Sequence, residues 1–237
     1  MSGSEAALRP EVLHTPDEVT PARVLIVEDH ELLAQSVGLA LVGEGCLVRL
    51  STLRGMDDVL QEADEHRPDV VLLDLDLGGE LGDGAGLIAP LRSRGAQVVV
   101  VTGTTSLHRH GLCLEQGAAG VLPKTTPFLE LVAAVQGAAQ GRSLVRDDRR
   151  QDLLATLRRW RTAERDRLAP FERLTPRERQ VLGCLLDGLS AERIAQDWVV
   201  SEATVRSQIR GVLTKLDVSS QLAAVAAARH AGWEPGS

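Results

Sequence analysis

Five polar side chains lie directly after short apolar runs in the first half of the sequence. They are the carboxylates of Glu28, Asp29 and Asp74, the hydroxyl of Thr102 and the ammonium group of Lys124. In an open α/β sheet, ligands bind beyond the carboxyl ends of the strands, so residues that directly follow strands are the first candidates for chemistry. A lone acidic pair in that place is more often solvated than catalytic, whereas the full set of five is much more specific.

The three carboxylates predict a divalent cation. If they converge within about 4 Å, each pair repels by roughly 4 kcal/mol at an effective dielectric constant of 20. A bound cation relieves that repulsion, and oxygen ligands with retained waters favour Mg²⁺. We expect Glu28, Asp29 and Asp74 to hold the ion, with the backbone carbonyl of Asp76 as a further ligand.

Beside such a cation, Asp74 is a candidate nucleophile toward a phosphoryl group, with an aspartyl phosphate as the product. The Lys124 ammonium would neutralise the phosphoryl oxygens while charge redistributes, and the Thr102 hydroxyl would hydrogen-bond the product. These three are therefore the expected catalytic residues.

The apolar runs predict the elements that position these side chains. Runs at residues 24–27, 70–73 and 98–101, with weaker ones at 47–50 and 119–122, alternate with amphipathic stretches of helical length such as 31–42 and 128–139. Alternation of apolar strands with helices predicts a parallel sheet covered on both faces. The expected fold is a doubly wound, five-stranded parallel sheet of the flavodoxin-like type, followed by a small all-α domain.

The charge of the chain is divided unevenly. The formal net charge is −7, but residues 22–142 have 9 basic and 16 acidic side chains, residues 143–173 have 9 and 6, and residues 174–237 have 7 and 7. A neutral domain with a local basic face is compatible with DNA binding. No apolar run approaches the roughly 18 residues of a membrane span, and the first residues lack the blocks of a secretory signal. We expect a cytoplasmic protein with no membrane partner and three reduced cysteines.

These signals divide the chain into four predicted segments: a mobile tail at 1–21, a phosphoacceptor domain at 22–142, a charged helical linker at 143–173 and a helical domain at 174–237. In the last segment, helix start signals recur. Thr175, Pro176 and Glu178 combine an N-cap, a proline at the first helical position and the glutamate of a capping box. Ser190, Ser201 and Ser219 are the predicted caps of the next three helices.

The helix predicted at 201–216 has two different faces. Its buried face is apolar, and its outer face presents Arg206, Ser207 and Arg210 together. An arginine on such a helix can bond a guanine edge or a phosphate in a major groove. Two arginines on an exposed helix are by themselves usually just solvated.

The first half resembles the receiver domains of bacterial two-component systems over about residues 22–142. The matching segments are VLIVEDH at 24–30, PDVVLLD at 68–74, VT at 101–102 and GAAGVLPK at 117–124. The resemblance implies that a sensor histidine kinase phosphorylates Asp74, with Thr102 and Lys124 as switch residues. The receiver would catalyse its own phosphoryl transfer and dephosphorylation, and the protein would otherwise not be an enzyme.

Three features depart from that family. Gly78 stands where such receivers usually have proline, the loop at 78–86 is long and glycine-rich, and Val121 occupies the usual aromatic switch position. The sequence has no tyrosine and only two phenylalanines, neither at that position, so rotation of an aromatic ring cannot be the signal here.

The second half resembles the LuxR-type helix-turn-helix over residues 174–233. The matching segments are LTPRE at 174–178, GLS at 188–190, IA at 194–195, SEATVR at 201–206, KL at 215–216 and AAV at 223–225. The resemblance implies that Arg206, Ser207 and Arg210 approach base edges of double-stranded DNA, while Thr204 and Lys215 lie nearer phosphates. It also implies a homodimer, at least on DNA, through the last helix at about 219–231.

Together the two resemblances identify the chain as a two-component response regulator of the NarL/FixJ type. One alternative is a phosphorylation-independent LuxR-type transcription factor with an atypical receiver, which the missing aromatic residue and the altered loop favour. A more remote alternative is a haloacid-dehalogenase-like phosphatase, because Asp74-Leu75-Asp76 fits the DxD pattern of that family; however, that family normally opens its domain with this pattern.

Overall fold

The computed structural model describes residues 21–79 and 81–235, and the predicted tail lies almost wholly outside them. The described residues divide into two compact units, with the division between Leu154 and Ala155. That position falls inside the linker predicted at 143–173. The predicted domain boundaries themselves stay predictions, and the two units are described separately.

The first unit contains alternating strands and helices. Its elements are β1 (Arg23–Val27), α1 (Glu31–Gly43), β2 (Leu47–Leu50), α2 (Met56–His66), β3 (Val70–Leu73), β4 (Asp76–Gly78), β5 (Gly82–Asp83), a 3₁₀ turn (Gly84–Leu87), α3 (Ile88–Ser93), β6 (Gln97–Thr102), α4 (Leu107–Glu115), β7 (Gly120–Pro123) and α5 (Phe128–Ala139). Among the described strands, five form one sheet in the order β2-β1-β3-β6-β7, and every neighbouring pair in it is parallel. The predicted doubly wound parallel sheet is therefore confirmed.

Alternate residues of each strand supply the two halves of the core. Leu25 and Val27 of β1 pack with α2, α3 and α4 on one face of the sheet. Val24 and Ile26 pack with α1 and α5 on the other face. Because both faces are covered, the strands can be apolar throughout, as their sequences are.

The glycine-rich segment after Asp74 is not the simple loop that the sequence suggested. The described residues there include an antiparallel hairpin of β4 and β5, followed by the 3₁₀ turn. Gly78, Gly79 and Gly82 have φ values of 60°, 51° and 56°, which lie in the left-handed region that glycine adopts without strain. This conformational demand accounts for three of the five glycines at 78–86.

The helix α6 (Asp147–Glu172) begins in the first unit and ends in the second. The second unit also contains α7 (Pro176–Leu186), α8 (Ala191–Trp198), α9 (Glu202–Leu216) and α10 (Gln221–Ala231). The capping box at Thr175 and Glu178 is present, and Ser190 and Ser201 cap α8 and α9 as predicted. The prediction for the last helix was wrong by one residue, because the side chain of Ser220, not Ser219, accepts the bond from Ala223 N.

Candidate functional site

The carboxyl ends of the parallel strands bring three of the predicted residues into direct contact. Lys124 follows β7, and its Nζ donates to Glu28 Oε1, after β1, and to Asp74 Oδ2, after β3, at 2.9 Å each. The Asp74 side chain is fully buried, and those of Glu28 and Lys124 are 7% and 22% exposed. Residues up to 96 positions apart thus form one buried ionic cluster.

Burial and charge act against each other in this cluster. Burial raises the pKa of the Asp74 carboxyl, and the hydrogen bond from Lys124 only partly offsets that rise. Burial also disfavours the charged form of Lys124, but its bonds to Glu28 and Asp74 outweigh burial and raise the pKa of the ammonium group. One ammonium ion therefore sits between two carboxylates that would otherwise repel each other.

The cluster extends to Asp29 and to one residue that was not predicted. A ligand atom from each of Glu28, Asp29, His30 and Asp74 lies within 4.8 Å of the others. His30 Nδ1 is 2.8 Å from Glu28 Oε1 and 2.9 Å from Asp29 Oδ1, and the bond to Glu28 raises the pKa of His30. Its position directly after the acidic pair was a signal that the sequence already contained.

Thr102 ends β6 at the same edge of the sheet. It is 1% exposed, its Oγ1 accepts a bond from Thr104 N at 3.2 Å, and its carbonyl oxygen accepts one from Lys124 N at 2.9 Å. This last bond links the two predicted switch residues through the backbone.

The side chain of Asp76 lies apart from the buried cluster. It is 62% exposed, and its Oδ1 is 3.5 Å from Arg109 Nη1. Arg109, in α4, also donates to Asp83 Oδ1 at 2.8 Å, so it joins α4 to the hairpin that follows Asp74. No sequence pattern indicates this contact. The Asp76 carbonyl as a cation ligand stays a prediction.

The backbone after Asp74 folds closely around this residue. Leu75 N donates to Asp74 Oδ1 at 2.7 Å, and Gly84 N donates to Leu75 O at 2.8 Å. A Cβ atom on Gly84 would collide with the carbonyl oxygen of Asp74. Glycine at position 84 is therefore needed for the hairpin to close beside the carboxylate.

Val121 lies where an aromatic switch residue was expected from the family resemblance. It is half-buried and packs against the core on the α4 side of the sheet. Close by, Leu144 N donates to Ala119 O at 3.0 Å, and Arg150 Nη2 of α6 donates to Leu114 O of α4 at 2.9 Å. The beginning of the predicted linker is thus bound to β7 and α4 within the first unit.

In the second unit, α8 and α9 form the predicted helix-turn-helix pair. Val205, Ile209 and Val212 are the buried residues of α9, while Arg206 and Arg210 are exposed. Arg206 Nη2 lies 2.6 Å from Glu202 Oε1, in a pair whose side chains are 68% and 42% exposed. An exposed pair of this kind is worth less than about 1 kcal/mol, so the guanidinium group remains available to another anion.

Thr204 and Lys215, predicted to lie near phosphates, both have partners inside the unit. Thr204 Oγ1 is 2.8 Å from Ser201 Oγ at the helix start, where the side chain remains exposed. Lys215 Nζ donates to Glu178 Oε2 at 2.6 Å, and the same oxygen accepts from Thr175 N at 2.7 Å. The charge of Lys215 is therefore already balanced by the buried carboxylate of the capping box.

Two family models match the chain, one within each of the two units. Residues 24–136 match the response regulator receiver domain, and residues 172–228 match the bacterial regulatory proteins of the luxR family. The phosphatase alternative therefore has no support in these comparisons. Within the part of the chain that the structure describes, no helix is long and apolar enough to cross a membrane.

Similar proteins align with this chain over nearly their whole length. The nitrate/nitrite response regulator protein NarP of Escherichia coli is 35% identical over 210 residues, which are 87% of this chain and 94% of NarP. The probable transcriptional regulatory protein NarL of Mycobacterium tuberculosis is 34% identical over 218 residues, which are 87% of this chain and 93% of that protein. A solved receiver domain of the M. tuberculosis NarL is 32% identical, covers 52% of this chain and 98% of its own, and has a TM-score of 0.45.

The fold and the buried cluster define a receiver domain, and the second unit defines a helix-turn-helix domain. The chain belongs to the two-component response regulators that combine a receiver domain with a LuxR-type DNA-binding domain.

Proposed function

We propose that this transcriptional regulator is controlled by phosphorylation of Asp74. The observation that supports the assignment is the buried contact in which Lys124 donates to both Asp74 and Glu28. Replacing a buried ion pair with apolar residues is often neutral or even stabilising, so the presence of this pair indicates a role beyond stability. Phosphoryl acceptance supplies that role.

The acidic cluster fits a hard divalent cation. Glu28, Asp29 and Asp74 supply carboxylate oxygens, the donor type that Mg²⁺ prefers, and the Asp76 carbonyl would complete the protein ligands. When bound, Mg²⁺ would offset the negative charge on the phosphoryl oxygens. One oxygen from each of Glu28, Asp29 and Asp74 lies within 4.8 Å of the others, and this closeness is the observation that favours a bound cation.

The protein's own groups orient and stabilise the reaction. An Asp74 carboxylate oxygen would form the new O–P bond while the N–P bond of a phosphohistidine on a sensor kinase breaks. Lys124 would transfer one of its hydrogen bonds from the carboxylate to a phosphoryl oxygen, and the Thr102 hydroxyl would donate another. The same groups would assist attack by water, so the receiver would catalyse both its phosphorylation and its dephosphorylation.

The DNA-binding role belongs to the outer face of α9. Arg206, Ser207 and Arg210 would approach base edges in the major groove, and Thr204 at the helix start would approach a phosphate. Lys215 contributes through its bond with Glu178, which orders the domain, more than through a free charge. A homodimer on a two-fold-related site would pair the exposed face of α10, and as a DNA-binding regulator the protein would act in the cytoplasm.

Phosphorylation would shift the receiver between two forms. Moving such an equilibrium from 1:99 to 99:1 takes about 5.5 kcal/mol of differential stabilisation. New charge-assisted bonds at Thr102 and Lys124, together with the cation, are the proposed source of that energy.

The direct test is intact-mass measurement after incubation with a small phosphoryl donor and Mg²⁺. The wild-type chain should gain about 80 Da, and Asp74→Asn should gain nothing. Asp76→Asn is the matched control, because Asp76 is a nearby but exposed carboxylate; it should still be labelled. Equal labelling of wild type and Asp74→Asn would refute the assignment and leave the phosphorylation-independent alternative.

The DNA assignment is tested by binding to a selected operator at fixed ionic strength. Arg206→Ala and Arg210→Ala should each weaken binding by about 1–3 kcal/mol, and the preferred base should change. Arg158→Ala, a change on the exposed surface of α6, is the matched control and should leave affinity unchanged. Unchanged footprints for both α9 variants would contradict the proposed contacts.

A further inference from the structure

A cavity of about 190 Å³ lies between the sheet and the helices α1 and α5. Its walls come from alternate strand residues on that face of the sheet and from the inner faces of the two helices. The apolar residues that line it include Ile26, Leu72, Val101, Ala34, Val37 and Leu131. Four of these six residues are under 10% exposed, but other lining residues are exposed, so the space is a pocket that reaches into the core and opens to solvent at one side.

One end of the cavity is the phosphoacceptor site. Glu28, Asp74 and Lys124 belong to its lining. Their charged atoms already bond one another, because Lys124 donates to both carboxylates. The polar end therefore needs no charged ligand, and the rest of the wall is aliphatic.

Close packing is the rule in protein interiors, so an apolar space of this size is an exception. An ordered water needs two to four polar partners, and the aliphatic part of the wall does not supply them. An apolar cavity of roughly 150 Å³ in another protein stays dry and binds benzene. We propose that this cavity is a binding site for a small, uncharged, apolar molecule of roughly six to ten heavy atoms.

The exposure of the lining residues indicates where such a molecule enters. Pro123 and Phe128 are exposed, and both flank the turn from β7 into α5. Lys124 lies in the same turn, so the entrance is next to the switch residue. A volume of about 190 Å³ suits a small molecule better than a peptide.

The shared wall gives the ligand an effect on the receiver. An occupant would contact the side chains that surround Asp74 and would restrict the Lys124 turn. By thermodynamic linkage, if the ligand favours or disfavours the phosphorylated form, phosphorylation raises or lowers the ligand affinity by the same factor. The receiver would then respond both to phosphorylation and to an apolar ligand. Only this coupling depends on the proposed phosphorylation of Asp74; ligand binding itself does not.

The binding test uses toluene as the probe with the full-length protein in Mg²⁺ buffer. At about five times its Kd, toluene should raise the Tm of the receiver transition by about 2–4 °C. Ala34→Leu should fill the cavity and abolish the shift. Ala133→Leu, the same change on the exposed side of α5, is the matched control and should keep it.

A second measurement tests the proposal even if Ala34→Leu does not fold. Methyl resonances of Ile26, Leu72 and Val101 in the wild-type protein should move with toluene, while that of Ile194 in the second unit should not. No Tm shift together with no movement of the three cavity methyls would overturn the proposal. These readouts need no phosphoryl chemistry, so their failure is distinguishable from a failure of Asp74 labelling.

Discussion

Replacing Lys124 with methionine should destabilise the receiver, because two buried carboxylates lose their shared partner. Each Lys124 contact of 2.9 Å corresponds to roughly 6 kcal/mol of attraction at an effective dielectric constant of 20, before the cost of removing the charges from water. At 4.8 Å, the widest separation within the cluster, two carboxylates repel by roughly 3.5 kcal/mol at the same dielectric constant.

Measured losses on removing one partner of a buried ion pair are about 3–5 kcal/mol. The Lys124 side chain is 22% exposed, so water screens part of the interaction, and we expect the lower end, about 3 kcal/mol. Adding Asp74→Asn to Lys124→Met should restore about 1–2 kcal/mol of the free energy of unfolding, because it removes one of the two buried carboxylates that have lost their partner. Saturating Mg²⁺ should restore part of the loss in the single variant.

The assay is urea unfolding at pH 7 with a chelator present. All three tryptophans, at 160, 198 and 233, lie beyond Leu154, so fluorescence follows the second unit while far-UV circular dichroism follows both. The difference between the two signals isolates the receiver. If Lys124→Met costs less than about 1 kcal/mol and shows no coupling to Asp74→Asn, the ionic cluster does not have the energetic role assigned to it.

Three further changes test other parts of the fold. Burial raises the pKa of Glu178, but its bonds with Lys215 and Thr175 outweigh burial and lower the pKa. The ionised carboxylate therefore stabilises the folded state fully above about pH 4.5, and this stabilisation is lost as the pH falls further. Glu178→Gln should cost about 1–2 kcal/mol at pH 7 and should flatten that acid dependence in fluorescence-detected unfolding. Val199, 91% exposed with φ of 54°, is a β-branched residue in the left-handed region, so Val199→Gly should stabilise the second unit by about 1 kcal/mol in the same assay. Gly84→Ala should destabilise the receiver by about 1–3 kcal/mol and slow Asp74 labelling, because its Cβ would collide with backbone; unchanged calorimetry and labelling would contradict this.

The sequence predicted which side chains converge where backbone topology decides their position. Parallel strands place their carboxyl ends at one edge, so Glu28, Asp74 and Lys124 converge whatever the details of side-chain packing. The apolar runs were long enough, and interrupted by few enough polar residues, to identify the strands. Even the weak run at 47–50 is a strand.

Contacts that depend on a side chain reaching across the fold were not predictable. Lys215 and Glu178 are 37 positions apart, and they were assigned separate roles: Glu178 in a capping box from its local pattern, and Lys215 near a phosphate from the family resemblance. Arg109 meets Asp83 only because a hairpin folds over the end of β3, and the glycines of that hairpin look like an unstructured loop in a sequence. Local patterns encode elements, whereas such pairs depend on how the elements pack.

The contacts of Lys124 also limit how the switch can work. Its ammonium group already bonds two carboxylates, so a phosphoryl group on Asp74 does not add a new cation to an empty site; it redistributes bonds that exist. Only the difference between the old and new contacts can shift the equilibrium. Glu28 would keep its bond to Lys124 in both forms, so that bond contributes little. The required energy would therefore come from groups whose contacts change, namely Thr102, the cation, and the Lys124 bond that moves from the Asp74 carboxylate to the phosphoryl group.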